Sequence, residues 1–118
     1  MKGRSVKKKK LARKEASFYL RLHKTAQGPL LACCDSELLG KVLESSENSS
    51  ESFPFFVSPR FYGGELRKLP ELHASIASCA QANVIGENAV KFLVENRLAT
   101  RKSVIMIGRV PHVVLIKV

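Results

Sequence analysis

The stretch FYLRLHKTAQGPLLACC, residues 18–34, decides the fold. Phe18, Leu20 and Leu22 alternate with Tyr19, Arg21 and His23, and a period of two places one face of an extended chain on a core and the other in solvent. Gln27, Gly28 and Pro29 supply turn chemistry, and the unbroken apolar run Leu30 to Cys34 then reads as a second, more buried strand. Together they predict a β-hairpin.

Downstream, Asp35 is placed to cap a short helical turn over Ser36 to Leu39, with Gly40 free to end it in the left-handed conformation. Residues 44–52, ESSENSSES, are polar and without periodicity, which predicts a flexible loop. Phe53 to Val57 suits a strand, and Pro54, lacking an N–H, assigns it to a sheet edge. Phe61-Tyr62-Gly63-Gly64-Glu65 predicts a sharp turn before a helix starting near Pro70, with Leu72, Ile76, Cys79 and Ala80 on one face. Gly86 opens a second helix whose apolar stripe is Ala89, Val90, Leu93, Val94 and Leu98, with Glu87 and Lys91 outside at the favourable four-residue spacing. Val104 to Ile107 and His112 to Val118, joined by a turn over residues 108–111, read as a closing pair of strands. The expected fold is a small α+β domain over residues 17–118, with a mixed or antiparallel sheet of about five strands and two main helices packed on it.

The charge is segregated. Lys2, Arg4, Lys7, Lys8, Lys9, Lys10, Arg13 and Lys14 precede the first acid, Glu15, whereas from there onward twelve basic residues face ten acidic ones. The formal charge of +10 therefore belongs to the arm and says little about the body. Residues 1–16 offer almost nothing to bury, so they are expected to be a flexible polybasic arm that orders on a partner. Phosphate backbones bind such a run by counterion release, whatever their sequence. Three cysteines, two of them adjacent, imply no disulfide framework. The basic start lacks a secretory apolar stretch, and no run approaches the ~20 apolar residues of a membrane span. A cytoplasmic location without a membrane partner is expected.

Taken in order, Cys34-Asp35, Glu37-Leu38-Leu39-Gly40-Lys41, Phe61-Tyr62-Gly63-Gly64-Glu65, Asn83-Val84-Ile85-Gly86-Glu87, Ile107-Gly108 and Val110-Pro111-His112 resemble the archaeal domain of unknown function 424 family. The resemblance runs from about Phe18 to Val118 and implies an archaeal cytoplasmic protein that keeps company with translation genes, with no activity to carry over. The arm and a longer loop near 44–52 depart from the family's pattern, and Arg109 stands where a second glycine is expected.

Several side chains are candidates for chemistry, each beside a plainer reading. Tyr62, Gly63 and Gly64, with Asn83, Gly86 and Arg109, could form a turn that presents backbone N–H groups to an anion. A Gly-Gly pair without phosphate-loop spacing is also simply a tight turn. Tyr62 could stack on an unpaired base or pack on the core. His112, Tyr62 and Asp35 would make a polar centre for a small enzyme if they converged, although no set of nucleophile, base and orienting group is evident. Asn83, Gly86 and Glu87 read as a junction between two helices. Cys33, Cys34, Cys79, His23, His73 and His112 lack paired zinc spacing, so neither metal nor cofactor is expected. The resulting expectation is a non-catalytic RNA-binding or ribosome-associated protein of the translation machinery, whose arm contacts rRNA phosphates. The alternatives are a small enzyme acting on nucleic acid or a nucleotide through His112, Tyr62 and Asp35, and an adaptor for a translation factor.

Overall fold

A computed structural model describes residues 16–44 and 54–117. The polybasic arm as far as Glu15, and the Ser/Glu-rich loop beyond Glu44, lie outside the described residues. The hairpin forms as its alternation requires: β1 (Phe18–Thr25) pairs antiparallel with β2 (Gly28–Asp35), Phe18 opposite Asp35 and Thr25 opposite Gly28. After a 3-10 turn at Ser36–Leu38 come β3 (Val42–Leu43), β4 (Phe55–Phe56) and the short helix α1 (Pro59–Tyr62). The chain continues through β5 (Glu65–Arg67), α2 (Leu69–Ser78), β6 (Gln81–Ile85), α3 (Glu87–Glu95), a second 3-10 turn at Arg101–Ser103, β7 (Ile105–Ile107) and β8 (Val110–Ile116).

The main sheet has six strands in the order β5-β1-β2-β6-β8-β7, and β3 pairs with β4 in a separate two-stranded sheet. The domain is α+β with a mixed sheet, because β6 runs parallel to β2 while the other main-sheet pairs are antiparallel. Among the described residues no helix is long and apolar enough to cross a membrane.

The strand period divides the interior into two compartments. On one face Phe18, Leu20, Leu31, Cys33, Val84 and Val113 pack with Leu72 and Ile76 of α2 and Leu93 of α3. On the other, Ala32, Cys34, Ile85 and Ile107 pack with Tyr62 of α1, Val57, and Phe55 and Leu43 of the small sheet. Cys33 and Cys34 are both fully buried and free, their side chains on opposite sides of the sheet. Burial pushes both thiols up, that of Cys34 to about 12.

Several expectations need correction. The largest concerns Asn83-Val84-Ile85, which is not a junction between helices but the heart of β6, a central strand between β2 and β8. α2 stops at Ser78, so Cys79 and Ala80 fall outside it; the Ala80 N–H donates to the Pro29 carbonyl and draws the chain into the sheet. α3 stops at Glu95, and Arg97 takes the left-handed conformation (φ 58°) that turns the chain away before Leu98. Glu65–Arg67 forms an edge strand beyond the sharp turn. Among the described residues of segment 53–57, Phe55–Phe56 form a strand shorter than expected, and it lies in the separate two-stranded sheet, where either strand is an edge. Leu22 shares a face with Phe18 and Leu20 yet is 57% exposed. It lines an open groove of about 630 Å³ with Leu20, Ala74 and Glu71, beside α2.

Candidate functional site

Three of the side chains singled out above meet on one face of the sheet. Asn83 is central in β6, and because Ala82 and Val84 point toward the helices, strand alternation sends Asn83 to the opposite face with Ile85. α1 begins at Pro59, whose fixed φ suits a first helical turn, and its last residue, Tyr62, lies against this face with its ring buried. His112, in β8, pairs with Ile85 of β6 and so projects on the same side. The Tyr62 hydroxyl donates to Asn83 Oδ1 at 2.7 Å, and His112 Nε2 lies 2.7 Å from the same oxygen. A carboxamide oxygen has no proton to give, so His112 carries its proton on Nε2 and donates.

The surroundings tune these groups. Burial pushes the Tyr62 hydroxyl above its ordinary range and lowers the His112 pKa, favouring phenol and neutral imidazole. Phe55 tilts against the His112 ring, centroids 5.8 Å apart. On the far side of Tyr62, Phe61 makes an edge contact at 4.8 Å and stacks on His23 at 4.9 Å, while His23 Nε2 lies 2.8 Å from the Phe61 carbonyl oxygen. The result is a row of rings across the sheet, with one carboxamide at its centre.

Asp35 is elsewhere. It is 2% exposed and faces the helix side of the sheet, where its two carboxylate oxygens accept from the Asn88 and Ala89 backbone N–H groups at 2.8 and 2.9 Å. It therefore caps α3, not the turn at Ser36–Leu38, where it makes no side-chain capping bond. Desolvation pushes its carboxyl up to about 6, against the two backbone N–H groups that hold it down. Gly86, at φ +127°, makes room for this contact, because a Cβ there would overlap the Asp35 carboxyl. Asp35 therefore does not join Tyr62 and His112 in one polar centre.

The Gly63-Gly64 turn follows the plainer reading. Neither glycine has a positive φ, so no alternating nest forms. A Cβ on Gly63 would overlap the Pro59 carbonyl and one on Gly64 that of Leu20, so both glycines admit the protein's own backbone. Arg21 Nη1 caps the turn by donating to the Gly63 carbonyl at 3.0 Å. Arg109 is exposed beside a depression of about 90 Å³ that Asp35, Glu37 and Glu87 also line, an acidic rather than an anion-seeking setting. The eight basic residues of the arm, Lys2 to Lys14, lie outside the described residues. Among the described residues no three His, Cys, Asp or Glu stand together as a metal site.

What sequence reasoning missed is the convergence on Asn83. The signal for it was an asparagine in a Val/Ile-containing segment: asparagine is depleted in strands, and one held inside a sheet needs polar partners.

The crystal structure of an uncharacterized conserved protein from Methanopyrus kandleri is similar, with a TM-score of 0.70 at 24% identity over 87% of this chain and 95% of that one, a likeness of fold. No curated protein matches. The family model described as "Protein of unknown function (DUF424)" matches residues 23–118, which takes in β2, all of β6 and the Tyr62, Asn83 and His112 cluster. The chain belongs to the DUF424 family.

Proposed function

We propose that this is a non-catalytic RNA-binding protein of the translation machinery, associated with the ribosome in the cytoplasm, whose N-terminal arm contacts rRNA phosphates. The observation that carries the reading is the charge segregation: eight basic residues precede Glu15, and the rest of the chain is close to neutral. Such a run gains affinity by releasing counterions from a phosphate backbone, while a compact body supplies shape. The family resemblance to proteins that accompany translation genes supports the same direction. The enzymatic alternative loses support from the geometry, since Asp35 is engaged with α3 on one side of the sheet and His112 with Asn83 on the other.

The test is sedimentation of the tagged full-length protein through a lysate gradient, with and without nuclease, beside a variant in which Lys7, Lys8, Lys9 and Lys10 are all alanine. The expected result is migration with ribosomal particles that nuclease abolishes and the variant loses. If about five arm charges meet phosphates of single-stranded RNA, log affinity falls against log salt with a slope near −3.5. A slope near zero overturns the reading. Co-migration that survives nuclease and high salt replaces RNA with a translation factor as the partner.

A further inference from the structure

We infer that the part of the sheet's second face left open beside α1 is a docking surface for unpaired RNA, so that the body as well as the arm engages nucleic acid. This rests on the RNA reading above and adds to it a site and a substrate class.

The small sheet and α1 cover only part of that face. The register puts Leu30, Gln81 and Ile116 side by side on it, with Val114 next to Asn83. Val114 is 51% and Ile116 72% exposed. Leu30, Val114 and Ile116 thus set an apolar floor around Gln81 where β8 runs on past β7, suited to a flat, apolar partner, and the face of an unstacked base is one.

Charge separates RNA from other apolar partners. In the main sheet the register sends both strand-borne carboxylates, Asp35 and Glu65, to the helix-covered face, Asp35 with Cys33 and Glu65 opposite Leu20. The second face carries Arg21, His23 and His112, and no carboxylate from any described strand of the six. α1 adds an exposed arginine, Arg60. Among the described residues the main-sheet strands bring Arg21 and no carboxylate to this face, and Arg60 borders it, an arrangement complementary to a phosphate backbone.

The polar groups suit a base edge. Asn83 Oδ1 is already engaged by the Tyr62 hydroxyl and by His112, which fixes the carboxamide plane and turns its NH2 group away from both. That NH2 is then a donor for a carbonyl oxygen or ring nitrogen of a base. At the rim, the stacked His23 and Phe61 rings offer a platform that a further base can extend. Bases are available to such a surface only in single strands, loops and bulges, because a duplex keeps them stacked and shows phosphate and sugar.

The experiment uses the full chain and a short mixed-sequence RNA, fluorescently labelled, alone and annealed to its complement. Val114→Glu and, separately, Ile116→Glu place a carboxylate on the floor at positions exposed enough to leave the core intact, which thermal melting verifies. Each variant is expected to lower affinity for the single strand about tenfold, the scale of one lost base contact, with duplex affinity and salt slope unchanged. Neutralising Lys7 to Lys10 is expected to flatten the slope while leaving the Val114→Glu effect in place, so the arm and the face fail separately. The inference falls if both variants bind the single strand within about twofold of the parent. It falls equally if they weaken duplex and single strand alike, or if Val114→Glu dissolves a self-associated state with RNA affinity intact.

Discussion

Replacing Asp35 by asparagine tests whether the carboxyl that caps α3 is held in a desolvated pocket. An aspartate carboxyl ordinarily titrates near 3.8, and burial pushes Asp35 up to about 6 against the opposing pull of the Asn88 and Ala89 N–H groups. That interval corresponds to about 3 kcal/mol of differential stability. The sign follows from which state yields its proton first. Below the unfolded pKa both states are protonated and the contribution is fully present; as pH rises, the unfolded chain ionises first, and stability drains away until the folded carboxyl has titrated too. Asparagine cannot ionise, and it offers one acceptor where the pocket holds two N–H donors, so at about pH 4 the variant is less stable by ~1–3 kcal/mol. Between about pH 4 and pH 7 the gap is expected to shrink by ~2 kcal/mol or to reverse. Urea unfolding of both proteins across that range measures it, and taking the difference cancels every other titrating group. A gap that stays constant with pH would refute the reasoning.

Other perturbations have equally definite outcomes. Gly86→Ala forces a Cβ into the Asp35 carboxyl at φ +127°, and is expected to cost more than ~2 kcal/mol, read as a fall in melting temperature. Tyr62→Phe removes one of the two donors to Asn83 Oδ1, and is expected to cost ~1 kcal/mol in urea unfolding; an unchanged midpoint counts against the hydrogen bond. His112 is expected to titrate below its ordinary 6.5 in an NMR pH series, because burial disfavours the imidazolium. Its contribution to stability is then present above 6.5 and lost as pH falls, when the unfolded chain takes up the proton first. Gly64→Ala drives a Cβ into the Leu20 carbonyl, and is expected to unpair β5, seen as faster amide exchange along Glu65–Arg67.

How much of this was legible in the sequence depended on how local each cause was. The β1–β2 hairpin and the α3 stripe were legible because a few adjacent residues state their own period, with turn residues at the ends. β6 was not: Cys79, Ala80, Gln81 and Ala82 extend the α2 pattern without a break, and only the neighbouring strands, through contacts such as Ala80 N–H to Pro29 O, extend the chain there. The small sheet was hidden for the same reason, since two-residue strands carry no period. Asp35 was legible as a cap but not as the cap of α3, which begins more than fifty positions later. Tyr62, Asn83 and His112 each stood out by residue type, yet their meeting depends on the strand order β2-β6-β8 and the seat of α1, neither of which any local window contains.

Cys33 and Cys34 share a peptide bond but not an environment, and this turns one dipeptide into a pair of gauges. Neither thiol can meet a soluble reagent until the layer above it lifts, so each modification rate measures a separate opening. Faster labelling at Cys34 means that the two-stranded sheet and α1 detach while α2 and α3 stay seated; equal rates mean that the domain opens as a whole. Two single-cysteine variants, with Cys79 also replaced, would read the two halves of the molecule independently.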